Sequence, residues 1–359
     1  MLDTLQAARA LASLCVLLFH LSIMMGVARY GGVAAFSDVT ASLGGVRFFF
    51  VLSGFILLIA HARDIAPVAA PLRTRLAAWR HYLWRRCIRI YPLYWLYTLV
   101  FTGLVLLGTG TEARIPDNLA DWVTSLTLIR FTPAQPPFPV AWSLFHEMAF
   151  YVVFSVLVLN RRAGIACFAV WSVICLAFYG YAPVEGRTAW AVYTGAYNLY
   201  FVLGMGAWWL WRRGGTGTVE LLAGAGVVAV AAVLVRMHQP GYLLMMGGFA
   251  LLLAGAAKRE RAGRVRVPRW LVAIGNASYS LYLIHEHVAG VLLKVAMRSG
   301  LYQYAGPHAT YLVVVAGTTL GGITAYRLIE RPLLSLLRRT ERKPVPVVAA
   351  PAAAGGSAL

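Results

Sequence analysis

About ten stretches of mostly apolar residues, each roughly as long as a membrane-spanning helix, recur along this 359-residue chain. Inside a bilayer every backbone N–H and C=O must find its partner within the protein, so such stretches form helices or a closed barrel. The alternation of a barrel is missing, and the sequence predicts an all-α, polytopic integral membrane bundle. The expected spans are residues 5–27, 43–61, 91–109, 140–159, 164–181, 189–211, 219–236, 241–257, 270–293 and 309–329. Only 13% of the residues are charged, about half of what a soluble protein of this length carries.

The formal net charge of +19 suggests nucleic-acid binding until its placement is considered. The basic residues cluster between apolar runs, as topology signals do, so no nucleic-acid partner is expected. With the N-terminus in the cytoplasm, 24 of the 32 Lys and Arg residues fall inside and 8 outside, which selects an N-in, C-in arrangement. Cys15, Cys87, Cys167 and Cys175 have no C-x-x-C spacing and read as small hydrophobes, with no disulfide framework and no metal site. The first apolar run is too long for a signal-peptide core and lacks a basic leader, so it is expected to be retained. Residues 1–337 read as one membrane domain, and 338–359, rich in Pro, Ala and Gly, as a disordered cytoplasmic tail. The longest outer loop, 110–139, carries Glu112, Arg114, Asp117, Asp121 and Arg130 and ends in PAQPPFP.

Polar residues inside these runs mark the chemistry, because an ionisable group in a membrane is costly without a partner or a task. Arg9 and His20 share the run LQAARALASLCVLLFHLSIMM; eleven positions put them on one helix face, about 16 Å apart along the axis. Imidazole is the side chain suited to taking and returning a proton near neutral pH. On the N-in topology, His20, Arg47, Glu147 and the cluster His285–Glu286–His287 reach similar depths in the outer half. That places them around a shared polar cavity, with Glu147 the natural carboxylate to orient His20. Glu147 paired with Arg47, and a histidine cluster facing water or headgroups, are the structural alternatives. Ser53–Gly54 reads as a close-packing position rather than a nucleophile. On the inner side, Arg86 and Arg89 lie three apart on one helical face in RRCIRIYPLYW, with Pro92 beginning a new span. Paired guanidiniums suit phosphate, and Trp79, Tyr82 and Trp84 are near enough in sequence to stack a purine; the same stretch also suits a topology signal or anionic lipid.

The order of several motifs resembles the membrane-bound acyltransferase 3 family, which includes bacterial exopolysaccharide and lipopolysaccharide O-acetyltransferases. They are LQAARALASLCVLLFH, GGVRFFFVLSGF, RRCIRIYPLYW, WSLFHEMAFY, LGMG near Gly204, IGNASYSLYLIH ending at His285, and YRLIERPL with Glu330, Arg331 and Pro332. The resemblance implies that His20 is the family's essential histidine and Arg9 its arginine at the start of the first helix. It also implies that Arg86 and Arg89 are the R-x-x-R pair linked to an acyl-CoA donor, and that Glu147 is the glutamate after W-S-L. Gln6 departs from the aspartate many members carry, and points to the exopolysaccharide branch. No counterpart of the family's optional periplasmic esterase-like domain is expected, and transfer is expected to finish within the bundle or through a separate partner.

The expected reaction is transfer of an acyl group, most commonly acetyl, from cytoplasmic acetyl-CoA or another acyl-CoA to a hydroxyl of a cell-surface or extracellular glycan, at a bacterial inner membrane. In it Arg9, Arg86, Arg89 and Ser53 line the donor's path. Arg47, Trp142 and His285 contact the acceptor, and His20 is the general base, oriented by Glu147. A covalent acyl-histidine relay is the variant mechanism. A rival reading is a proton-coupled transporter or a flippase of lipid-linked glycans, which would predict inverted repeats that the sequence does not show. A membrane scaffold would explain the buried polar groups but not the ordered motifs.

Overall fold

A computed structural model of the chain describes residues 2–40, 44–65, 67, 70–108, 115–137, 139–180, 188–235 and 240–339. The tail from 340 onward, and Glu112, Arg114 and Phe138 of the long loop, lie outside the described residues. Every regular element among them is helical. The elements run α1 (Asp3–Met25), α2 (Ser37–Thr40), α3 (Gly45–His61), α4 (Leu72–Leu106), α5 (Leu119–Thr127), α6 (Trp142–Leu159), α7 (Arg161–Ala177) and α8 (Ala189–Thr194). They continue α9 (Tyr197–Arg212), α10 (Thr218–Val235), α11 (Pro240–Arg261), α12 (Arg269–Asn276), α13 (Ser278–Arg298), α14 (Leu301–Ala325) and α15 (Arg331–Arg339).

Each predicted span coincides with helix, but six stretches among the described residues are long and apolar enough to cross a membrane. These are Asp3–Met25, Ser37–His61, Leu72–Leu106, Pro139–Leu159, Gly241–Arg261 and Leu301–Arg338. The other expected spans fall short for physical reasons. α7 is 17 residues long, Gly195 separates α8 from α9, Ala277 separates α12 from α13, and α13 carries His285, Glu286 and His287.

The basic stretch between the second and third expected spans is helical from Leu72, and the helix continues through Pro92, where a new span was expected to begin, as the 35-residue α4. Pro92 removes one helical donor, which ordinarily kinks or ends a helix. Here Ile90, Leu93, Tyr94, Tyr97 and Phe101 form an unbroken buried stripe across it, so packing outweighs the lost hydrogen bond. Tyr279 also donates its hydroxyl to the carbonyl of Ile90 (3.0 Å).

α1 sits centrally, packed on α3, α12 and α13; α3 packs on α9, α9 on α11, α11 on α10, and α13 on α14. Glycines permit the closest crossings. A Cβ on Gly54 would run into the backbone of Phe201, and one on Gly204 into that of Val51. The reading of Ser53–Gly54 as a packing position thus holds at Gly54. At the foot of α1, the Glu260 carboxylate accepts the N–H groups of Asp3 (2.7 Å) and Thr4 (2.8 Å), satisfying donors that a helix N-terminus leaves open. Near the other end of the chain a π-turn, Tyr326–Glu330, turns Glu330 fully inward.

Candidate active site

α1 carries both halves of the site on one stripe. At its arginine end, Arg9 joins Ser53 of α3, Arg86 and Arg89 of α4, and Glu147 of α6 around one cavity of about 850 Å³, open mouth included. Five residues singled out from four separate motifs therefore meet. The lining sets three guanidiniums against the single carboxylate of Glu147, so the cavity favours an anion.

The arginines are held differently. Arg89 donates from Nη1 to Glu330 Oε1 (2.5 Å), and its guanidinium lies 4.9 Å from the Tyr279 ring centroid. The other Glu330 oxygen accepts the Ser280 hydroxyl (2.7 Å) and N–H (3.2 Å). Arg86 lies against the Tyr151 ring, 5.7 Å from its centroid, and its Nε is buried without a hydrogen-bond partner. Arg86 thus has unspent donor capacity, whereas Arg89 is fixed by Glu330. Glu147 accepts the Tyr151 hydroxyl (2.5 Å).

His20 lies elsewhere. It lines two further cavities, of about 870 Å³ and 740 Å³ with their open mouths, which share Phe19, His20, Trp142 and Tyr197. Its side chain is 25% exposed, so the ring reaches open space. The expected pairing of His20 with Glu147 is not what the structure holds: Glu147 faces the arginine-lined cavity and bonds Tyr151. In its place the ring meets His285 and Glu286 of α13. His20 Nδ1 is 2.9 Å from the Val16 carbonyl and 3.2 Å from His285 Nε2, while its Nε2 is 3.6 Å from Glu286 Oε1.

The neighbours assign the protons. His285 Nδ1 is 2.7 Å from the Tyr282 carbonyl, which only accepts, so that nitrogen carries hydrogen and the neutral ring offers a lone pair at Nε2. His20 Nδ1–H then donates toward Val16 and His285. Its Nε2 is left facing Glu286 and the cavity. That is the arrangement of a base whose protonated form has a carboxylate beside it. His285, expected to contact substrate, is 1% exposed and lines none of these cavities. It stands behind His20 as the acceptor that fixes its tautomer.

Arg47 lies 3.8 Å from the Tyr242 ring centroid and 5.7 Å from that of Tyr197, and lines the 740 Å³ cavity with His20. The alternative that it pairs with Glu147 therefore has no support. Trp142 lines both histidine-side cavities, its ring centroid 5.3 Å from that of Tyr197. Glu286 was visible in sequence only as a member of a cluster at a helix end, and its approach to His20 depends on the α1–α13 crossing.

The arginine-side cavity and the 740 Å³ cavity share Val46. Tyr282 lines the arginine-side cavity, and its ring centroid is 6.0 Å from that of His285. Its hydroxyl donates to the Val140 carbonyl (3.0 Å) and accepts from Ser143 (2.6 Å).

One donor set suits a cation. His20, His285 and Glu286 each offer an atom, all within 4.8 Å of one another, where the sequence suggested no metal centre. His285 Nε2 already accepts from His20 Nδ1, so ligation through it would require breaking that contact.

The comparisons agree with the motif order. An acyltransferase domain matches residues 2–327. Exopolysaccharide production protein ExoZ of Rhizobium meliloti (strain 1021) is 32% identical over 311 residues, covering 82% of this chain and 90% of that protein. No solved structure gives a significant match.

Proposed function

The chain belongs to the acyltransferase 3 family, and from that premise we propose that it moves an acetyl group from acetyl-CoA to a hydroxyl of an exopolysaccharide, with His20 as general base. The observation carrying this reading is the pair of compartments that share Val46 in their walls, one lined by arginines and one opening on His20. In this proposal the protein lies N-in, C-in in a bacterial inner membrane, the arginine side facing the cytoplasm. Similarity to an exopolysaccharide production protein supports the acceptor class.

The donor's phosphates meet Arg86 and the basic start of α4, where Arg86 Nε lacks a partner. The pantetheine arm extends past Arg9 and Ser53; fully stretched it spans about half of the ~30 Å hydrocarbon core. The thioester then reaches the Tyr282–Ser143 boundary. From the other side an acceptor hydroxyl enters among Trp142, Tyr197 and Arg47. His20 Nε2 takes the hydroxyl proton as the oxygen attacks the thioester carbonyl, forming the ester C–O bond. The C–S bond breaks, and the proton on Nε2 passes to the departing CoA sulfur. Glu286, not Glu147, steadies the imidazolium in between.

Purified protein supplied with acetyl-CoA and unacylated exopolysaccharide should release CoA only when the acceptor is present, with one acetyl mass gained on the polysaccharide. His20→Ala should lower this rate by roughly a hundred- to ten-thousandfold while the protein still folds. Full activity in a folded His20→Ala protein would end the proposal.

A further inference from the structure

Arg130 is a buried cation in the compartment that opens on His20, and the mechanism above does not use it. It follows α5, in the stretch leading to α6, and is 3% exposed. Its guanidinium lies 3.8 Å from the centroid of the Phe145 ring. Nη1 donates to the carbonyls of Ala134 (2.6 Å) and Thr132 (3.4 Å), and its main-chain N–H donates to the Tyr193 hydroxyl (3.2 Å). Nε is buried and has no hydrogen-bond partner. Among the described residues no carboxylate forms an ion pair with it. Burial pulls its pKa down to about 10, so the charge persists at neutral pH.

A buried charge with no counter-ion is costly, and an anionic ligand bound beside Arg130 would offset that cost. The cavity Arg130 lines also holds His20, Glu286, Gln135, Trp142 and Tyr197. Aromatic faces and an amide beside a guanidinium are the groups that bind a sugar carrying an oxyanion. We propose that Arg130 selects an acidic acceptor, placing an oxyanion of the glycan within a sugar's length of the hydroxyl that His20 deprotonates. Glu286 in the same cavity requires that anion to bind at the Arg130 side.

This inference rests on the acyl-transfer reading, and its test separates the two. Exopolysaccharide from host cells lacking this protein is offered as acceptor before and after its carboxylates are reduced to alcohols. A parallel arm uses lipid-carried acceptor with and without its carrier diphosphate. Wild-type protein should lose about tenfold or more in kcat/KM on removal of one of these anions, and the sensitive arm identifies whether carboxylate or phosphate is read. Arg130→Gln should begin at that lower level, respond no further to removal of the anion, and keep the donor KM. Equal wild-type rates on all four acceptors, or an exopolysaccharide and carrier with no anionic group, would overturn the role of Arg130 and leave acyl transfer standing. No transfer to any acceptor would remove the acyl-transfer reading itself. Because wild-type protein alone decides the acceptor comparison, the result survives a variant that fails to fold.

Discussion

Two imidazoles in contact must share one hydrogen between them, and that constraint orders the protons around His20. His285 gives its hydrogen to Tyr282 and accepts from His20, which frees His20 Nε2 for the cavity. Glu286→Gln keeps the volume and removes the charge 3.6 Å from that nitrogen. Turnover should fall roughly tenfold or more, with the donor KM unchanged. Glu147→Gln, by contrast, should act on the donor side and raise the KM for acetyl-CoA; steady-state kinetics of the two variants separate these roles, and the reverse pattern would restore Glu147 as His20's partner. Since the reaction as drawn uses no cation at His20, His285 and Glu286, dialysis against a chelator should leave the rate unchanged. A loss restored by one divalent metal would assign that cluster differently. At this scale the sequence was informative where spacing along one helix suffices: Arg9 and His20 are eleven residues apart, and Arg86 and Arg89 three. It was silent where a contact spans helices. Glu147 and Glu286 are both carboxylates at plausible depth, and only the packing of α13 on α1 chooses between them.

Helix by helix, the apolar runs located the elements, because in a membrane the backbone has few alternatives to helix. Their ends and joints were less legible. Pro92 looks like a start and proves to be mid-helix, since the buried stripe of α4 runs through it. The break at Gly195 and that at Ala277 fall among small and polar residues (Thr194 and Asn198; Asn276, Ser278 and Ser280), which a hydropathy average over a whole span smooths away. Small residues at the α3–α9 crossing were readable as such, and their geometry sets an expectation. Gly54→Ala forces a methyl into the backbone of Phe201. Overpacking of this kind costs about 1–3 kcal/mol. A lower melting temperature in detergent should show it, while Gly206→Ala, on the same helix as Gly204 with open space around its Cα, should melt like the wild type.

Across the whole molecule, the proposed orientation can be read from outside the cell. In a cysteine-free background, Thr216→Cys lies in the α9–α10 connection and Ser299→Cys between α13 and α14, both exposed. On an N-in, C-in topology an impermeant thiol reagent should label Ser299→Cys and spare Thr216→Cys in intact cells, and inversion of that pattern would place the arginines on the wrong side for a cytoplasmic donor. The place of Tyr282 in the wall of the arginine-side cavity, with its ring 6.0 Å from that of His285, has a further consequence. In the proposed reaction a thioester loaded from one face waits behind a tyrosine that two hydrogen bonds hold in place, apart from the solvent that reaches His20. Water is always available to a base at an open vestibule, and an activated acyl group left in its sight would simply be hydrolysed. The tyrosine therefore acts as a check on wasted donor: Tyr282→Ala should release CoA steadily with no polysaccharide present, turning a transferase into a slow thioesterase.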